Sequence, residues 1–568
     1  MSALALAALL QAVPMPAVAQ DPSGPYLAAR QARVTGDFAA AARYYSQVLT
    51  LDPSNPEMLE NATVAYIALG QIDRATAIAG KMASDDLRSQ VAQITLIAEE
   101  TRTEDWTALI ERMQDARGAG ELADGLITAW AHLGRGDVTE ALAGFDAVAE
   151  ERGLRSFALF QKALALASVG DFEGADQVFS GDADGPVQQT RRGVMAWAQV
   201  LSQLDEQDRA LDLIDETFGS DPDPQVAALR ARIASNDTVP FDLIRNPRDG
   251  VAEVFFSLAQ ALRQDANDEL VLLYARIAEA IRPDHTDAIL TVAELLENMG
   301  QYDLAIAAYK KVPRDHPSYH AAELGRAEVL RRDGRPDAAI EVVDQLVQAY
   351  PDLADVHVAA GDLYRSQEQY ADAVASYDRA ITLLDARDNP QWFVFYARAI
   401  SHERQDNWER AEADFRRALD LNPGHPQVLN YLGYSMVEEG INLDEALDMI
   451  ERAVAERPES GYIVDSLGWA LYRLGRYDEA IVHMERAAEL MPTDPVVNDH
   501  LGDVLWAVDR KAEARFQWKR ALSLHESDPS PDLDPDRVRR KLDVGLDEVL
   551  EAEGAAPLKA VDATSSDR

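Results

Sequence analysis

His316 and His320 stand four residues apart, the spacing at which one helical face can offer two imidazoles to zinc. Pro317 lies between them and argues against a continuous helix, so both read as turn residues. Asp528, Asp532, Asp534 and Asp536 could attract calcium, but the run has neither the glycine nor the closing glutamate of an EF-hand loop and reads as a solvated acidic linker. Gly118-x-Gly120 follows no strand-like run and is no dinucleotide fingerprint, and Arg135-Gly136-Asp137 reads as an interhelical turn. The chain has no P-loop, no Gly-x-Ser-x-Gly elbow and no cysteine, which removes phosphate cradles, thiolate metal sites, disulfides and cysteine nucleophiles. No cofactor or metal is expected, and the chain reads as a non-enzyme.

What is left is recognition, and the elements that position it are helices. Hydrophobic residues make up 47% of 568, too many for a disordered chain and too long a chain for one compact core. The formal charge of −44 repels phosphate backbones and anionic lipids, which argues against nucleic-acid binding and favours basic partner surfaces. No segment is long and apolar enough to span a bilayer.

Self-similarity at a fixed period is the strongest signal. Ala305, Ala339 and Ala373 are 34 apart, as are Ala446, Ala480 and Ala514. The intervening steps, through Ala411, are 38 and 35 residues, which places insertions near 388–391 and 441–443. Gly361, Ala399, Gly433, Gly468 and Gly502 keep the same phase, as do Tyr377, Phe415 and Trp518, and Pro351, Pro423, Pro458 and Pro492 close their units. A small residue lets two helices of a hairpin approach, an aromatic fills the gap between hairpins, and proline sits where the chain must turn.

These columns resemble the tetratricopeptide repeat, with Asn430-Tyr431-Leu432-Gly433-Tyr434 and Ser466-Leu467-Gly468-Trp469-Ala470-Leu471-Tyr472 as clear examples. The resemblance implies an all-α, right-handed superhelical solenoid of helix hairpins. Toward the N-terminus the units are marked by Gly36, Ala41 and Tyr45, by Gly70 and Ala75, by Trp106 and Leu109, by Gly136, Ala141 and Phe145, and by Gly170, Ala175 and Phe179. The phase is lost between Thr217 and Gly250, a stretch rich in Asp, Pro and Asn. The expected organisation is therefore a signal peptide at 1–19, an array over 22–216, an irregular connector over 217–251, a second array over 252–528, a linker and capping helix over 529–552, and a disordered tail over 553–568. Val538, Leu542, Leu546 and Val549 give the last helix one apolar face, opposite a charged face suited to solvent.

In the tetratricopeptide family the first helix of each pair lines the concave face. Helical offsets place Asp465, Trp469 and Tyr472 on one stripe beside the packing stripe, flanked by Arg473. The same offsets give Tyr396, then Asn430 and Tyr434, then Asp499, Asp503 and Trp506. Asn430, Asp465 and Asp499 are expected to form a polar ladder, with Tyr434, Trp469, Tyr472 and Trp506 as aromatic neighbours, able to hold the backbone and side chains of a protein segment. The alternative is that these aromatics pack between repeats and the acids pair locally with arginine.

The layout, with Asp249-Gly250-Val251-Ala252-Glu253-Val254-Phe255-Phe256 and Leu501-Gly502-Asp503-Val504-Leu505-Trp506, resembles large bacterial envelope proteins of this type, including adaptors of the LbcA kind. That resemblance implies bridging of a periplasmic C-terminal processing protease and cell-wall hydrolases. The alternatives are an assembly scaffold for envelope export or polysaccharide machinery, and a regulatory subunit of an enzyme. Leu4 to Val13 is a short apolar run followed by Ala17-Val18-Ala19, the pattern of an export signal, although no basic residue precedes it. The expected location is the periplasm or envelope, without lipidation at a cysteine, or the cytoplasm if that segment is no signal.

Overall fold

A computed structural model describes residues 23–115, 118–181, 190–219, 222–235, 238–387 and 389–558. The expected signal segment and most of the expected tail lie outside these residues. Among the described residues every regular element is an α-helix, and the chain forms two compact units, Met1–Val343 and Asp344–Arg568.

The first unit begins with α1 (Ser23–Val34), α2 (Phe38–Leu51), α3 (Pro56–Ala68), α4 (Ile72–Ser84), α5 (Gln90–Arg102) and α6 (Trp106–Gln114). It continues with α7 (Glu121–Arg135), α8 (Val138–Glu150), α9 (Arg155–Ser168), α10 (Phe172–Ser180), α11 (Arg191–Gln203) and α12 (Gln207–Phe218). Then come α13 (Pro224–Ala234), α14 (Pro247–Leu262), α15 (Asp268–Ile281), α16 (Thr286–Asn298), α17 (Tyr302–Tyr309) and α18 (Tyr319–Arg332). The unit boundary falls within α19 (Pro336–Ala349). The second unit holds α20 (Ala354–Ser366), α21 (Tyr370–Asp385), α22 (Trp392–Glu403), α23 (Trp408–Leu421), α24 (Pro426–Glu439) and α25 (Leu443–Glu456). It ends with α26 (Gly461–Arg473), α27 (Tyr477–Leu490), α28 (Pro495–Ala507), α29 (Lys511–Ser527), α30 (Pro535–Val544) and α31 (Leu546–Ala552).

In the second unit the helices pair as α20/α21, α22/α23, α24/α25, α26/α27 and α28/α29, and each column of the repeat has the role its residue type implies. Ala373, Ala411, Ala446, Ala480 and Ala514 are fully buried. A Cβ at Gly361 would lie 2.4 Å from the Tyr377 ring, at Gly468 2.3 Å from Met484, and at Gly502 2.4 Å from Trp518. The approach of these three pairs therefore has no room for a side chain there, and the large residue opposite fills that space. The aromatic column is buried with it, for Tyr377, Phe415 and Trp518 all have no exposed surface. The turn between paired helices needs a left-handed residue, supplied by Gly475 (φ 77°) and, 34 positions on, by Asp509 (φ 63°).

The first unit adds something that the repeat does not announce. The irregular stretch expected over 217–251 contains α13 and the start of α14, and it lies within this unit. Asn246 caps α14 through the Asp249 amide at 3.0 Å, and Pro247 sits at the first turn, where its missing N–H costs nothing. α14 packs on α5, α7 and α9, while its partner α15 packs on α3 and α5. This hairpin closes against the first helices of the preceding repeats. Trp130 of α7 is fully buried and donates to Gln161 Oε1 at 2.8 Å. Gly250 meets that indole so closely that a Cβ would lie 2.3 Å from the ring. Arg276 of α15 donates to the Ala68 carbonyl at 3.1 Å and pairs with Glu279 at 2.8 Å, both buried.

The α14 contact predicts the outcome of two substitutions of the same kind. Gly250→Ala must displace a buried indole and should cost about 1–3 kcal/mol of overpacking. Gly80→Ala, whose Cβ would meet nothing within 4 Å, should stabilise α4 by roughly 0.5–1 kcal/mol through helix propensity. Denaturant unfolding of the two variants beside the parent checks this, and equal effects would mean that the α14–α7 contact does not limit stability.

Candidate functional site

The ten residues expected to line the concave face of the second unit fall into three groups. Tyr396 packs into an aromatic cluster with Trp392, Phe415 and Tyr431, at ring separations of 6.3, 6.0 and 5.9 Å. Burial pushes its phenol up to about 12. It is half-buried packing between repeats, in keeping with the alternative reading of the aromatics.

The second group lies on α24 and α26. Asn430 and Asp465 come from the first helices of successive hairpins, α24 and α26, and both are nine-tenths buried. Asn430 Oδ1 and Asp465 Oδ1 are buried acceptors without a hydrogen bond. The other oxygen of Asp465 lies 2.9 Å from His500 Nδ1. Burial acts to lower the His500 pKa, but the Asp465 carboxylate outweighs it and raises it. The His500 ring stacks on Trp469 at 4.0 Å, and Trp469 stacks on Tyr472 at 4.9 Å. Trp469 is half-buried, and its indole donates to Glu438 at 2.5 Å; Arg473 reaches the same carboxylate at 3.2 Å. Tyr434 is half-buried, and burial with Glu438 and Asp465 nearby raises its phenol. Tyr472 is buried and belongs to packing as much as to the surface.

The third group, Asp499, Asp503 and Trp506 on α28, is covered by the chain itself. Lys541 of α30 is fully buried, with its ammonium 2.8 Å from Asp499 and 2.7 Å from Asp503. Trp518 donates to Asp503 at 2.9 Å, and Trp506 donates to Asp547 at 2.9 Å. The polar ladder thus continues from Asn430 to Asp465 and ends at a closed ion cluster in place of an open Asp499. The terminal helix also differs from expectation. It breaks at Gly545 (φ 92°) into α30 and α31, and its charged face is not turned wholly to solvent, because Lys541 lies inside. Apolar periodicity located Val538, Leu546 and Val549 in the core, but carried no signal that a lysine would join them.

A second surface went unnoticed in the sequence. The first unit contains a cleft of about 760 Å³ between α9, α11, α14, α16 and α18, a size typical of sites for small ligands or peptide side chains. Phe157, Phe160, Phe256 and Leu290 form apolar walls. Its polar side is an ion network. Arg192 donates to Glu253 at 2.8 Å and also pairs with Asp287, while Arg191 pairs with Asp223 at 2.8 Å and with Asp287 at 3.2 Å. Glu253 is fully buried, and although burial opposes its charge, Arg192 and His285 hold its pKa well below the usual carboxylate range. His285 caps α16 by accepting from the Ala288 amide at 3.2 Å, so its other nitrogen carries the proton and faces Glu253 at 3.4 Å. Its ring lies 4.7 Å from Phe256. Burial and the neighbouring Arg192 lower its pKa. These residues come from elements nearly 100 positions apart, which is why no local pattern revealed them. The one signal was Asp249–Phe256, singled out as a resemblance and here seen to supply Gly250, Glu253 and Phe256. His320, at the start of α18, lines this cleft, and His316 Nδ1 accepts from the Ser318 amide in the preceding turn.

The carboxylates of Asp223, Glu253 and Asp287 in the cleft are engaged by arginines. Sequence profiles of the tetratricopeptide repeat match residues 35–96, 290–354, 356–391, 392–425 and 464–494. The chain is a tetratricopeptide repeat protein. It is 26% identical over 156 residues to the TPR repeat-containing protein PA4667 of Pseudomonas aeruginosa, covering 27% of this chain and 26% of that one. It is 28% identical over 157 residues to cellulose synthase operon protein C of Pseudomonas fluorescens, covering 27% and 12%. Tetratricopeptide repeat protein 13 of Homo sapiens is 24% identical over 216 residues, covering 36% and 24%. The matches span about a quarter of these relatives or less. Among solved structures, the APC/C hetero-tetramer Cut9–Hcn1 gives a TM-score of 0.38 at 15% identity, over 92% of this chain and 96% of that chain. Yeast Tom70 gives 0.34 at 13%, over 94% and 98%. Tetratricopeptide repeats are a protein-binding fold.

The cleft predicts a pH response. His285 has a lowered pKa in the folded state, so below about 6.5, the ordinary imidazole value, the unfolded chain binds a proton that the folded chain does not. Stability is therefore lost as pH falls through that range. His285→Asn can keep the helix cap and removes the titration. Urea unfolding at pH 7.5 and 5.5 should show a smaller loss for the variant than for the parent; equal losses would remove His285 from the response.

Proposed function

We propose that this protein is a non-catalytic adaptor of the bacterial cell envelope that binds protein segments in the groove of its second unit. The observation that carries the reading is the pair of buried, unused acceptors Asn430 Oδ1 and Asp465 Oδ1 beside half-buried Trp469 and Tyr434. Leaving a buried acceptor unpaired costs free energy, on the order of 1–3 kcal/mol, which a partner's backbone N–H offsets once the side chain turns outward toward the groove. A row of such acceptors along successive first helices suits a peptide backbone, and the aromatics add contact area at low entropic cost.

The cleft of the first unit gives the chain a second recognition surface, which supports bridging. Holding a protease and its substrate on one chain raises their effective concentration without any chemistry from the scaffold. The resemblance to LbcA-like adaptors names such a pair, a C-terminal processing protease and a cell-wall hydrolase. The Leu4–Val13 run with Ala17-Val18-Ala19 supports export. A second reading, a scaffold for polysaccharide export, draws on the similarity to cellulose synthase operon protein C.

Asn430→Leu is the sharpest variant, because it removes an unused acceptor at nearly constant volume and should leave thermal stability equal or higher. Trp469→Ala accompanies it, because Trp469 is only half-buried and its loss disturbs the core less than loss of a buried ring. Affinity capture from envelope extract with the chain from Gln20 should recover a processing protease together with a wall hydrolase, and the double variant should lose them at unchanged helicity. Recovery of an export complex would favour the second reading. Partners retained by the variant would place binding outside this groove.

A further inference from the structure

The covered part of the groove shows what chemistry it accepts. After α29 the chain turns back along the second unit. Asp532 accepts from Arg404, at the end of α22, at 3.3 Å, and Leu533 is buried in the core. Asp534 caps α30 by accepting from the Asp536 and Arg537 amides at 2.9 and 3.1 Å. Lys541 then enters between Asp499 and Asp503 with no exposed surface, and Arg537 stands 3.6 Å from Asp503.

Two features separate this arrangement from an ordinary cap. A cap needs only apolar contacts, whereas burying an ammonium costs several kcal/mol of desolvation and is tolerated only against well-placed carboxylates. The charges are also matched in register. Asp499 and Asp503 are four apart on α28, Arg537 and Lys541 are four apart on α30, and Val538 is buried beside them. In a chain of net charge −44, α30 carries four cations against two acids. With α30 gone, α28 would present two adjacent carboxylates beside Trp506 and Trp518, a surface that repels acidic segments and attracts basic ones.

We propose that the α28 face is a docking site for a basic amphipathic helix with cations four residues apart, that α30 is its resident occupant, and that a partner helix of the same pattern displaces α30. The proposal adds a partner chemistry to the groove and rests on the groove reading only for its biological use. Its physical content stands whether or not an envelope protease is a partner, so its test uses the chain's own segment.

The probe is a fluorescein-labelled synthetic peptide of residues 529–552, titrated against the full chain. Lys541→Gln loosens the resident helix while the peptide keeps its own lysine, and Arg404→Gln frees the Asp532 end without touching the buried cluster. Each variant should bind the peptide at least tenfold more tightly than the parent, with affinity falling as salt rises. A peptide in which Arg537 and Lys541 are replaced by glutamine should not bind. In the parent, excess peptide should accelerate hydrogen exchange of residues 535–552. Circular dichroism establishes that both variants keep their helicity, and if Lys541→Gln does not, Arg404→Gln decides alone. Absence of binding to a folded variant, or equal binding of the glutamine peptide, would overturn the proposal and make α30 an inseparable part of the last repeat.

Discussion

Four of the five hairpins in the second unit depend on a glycine whose place leaves no room for a side chain. Gly361, Gly468 and Gly502 sit where a Cβ would be about 2.3–2.4 Å from a neighbouring side chain, and the alanine column of the second helices is sealed from solvent. That close approach sets the interaxial distance, which in turn leaves one large gap per repeat for Tyr377, Phe415 or Trp518. Once these are filled, packing within the pair makes no further demand on the remaining stripe of the first helix, and what covers that stripe differs from repeat to repeat.

The same protein closes some of its own surfaces. In the first unit α14 and α15 occupy the face of α3, α5, α7 and α9, with Gly250 against Trp130 as the tightest contact. In the second, α30 covers α28. The two closures use different physics. The first is fixed mainly by shape, with the buried Arg276 reaching the Ala68 carbonyl beside the apolar contacts, so a change of volume disturbs it. The second rests on a buried ammonium between two carboxylates, where the desolvation cost and the attraction are both large and nearly offset, so loss of either partner or a competing cation shifts the balance. A contact of this kind specifies register more than it adds stability.

The fold could be read in advance because its information is local and repeated. The 34-residue step recurs from Ala446 to Ala480 and from Ala480 to Ala514, and each occurrence constrains the other. The groove stripe was legible for the same reason: Asp465, Trp469 and Tyr472 share a face by helical geometry alone. What helical geometry could not say was which stripe residues remain available. Tyr396 is consumed by the aromatic cluster of Trp392, Phe415 and Tyr431, and Asp499 by a lysine 42 residues downstream. The cleft was invisible, since Arg192 meets Glu253 and Asp287 across 61 and 95 positions without any periodic signature.

The sequence by itself determined the helices and their pairing, because both follow from residue size and spacing over a few turns. The tertiary structure alone decided where the open surfaces lie. Availability is a property of a whole surface, set by whatever segment folds back upon it, and the same column of aspartates faces His500 at Asp465 and is a counter-ion for Lys541 at Asp499.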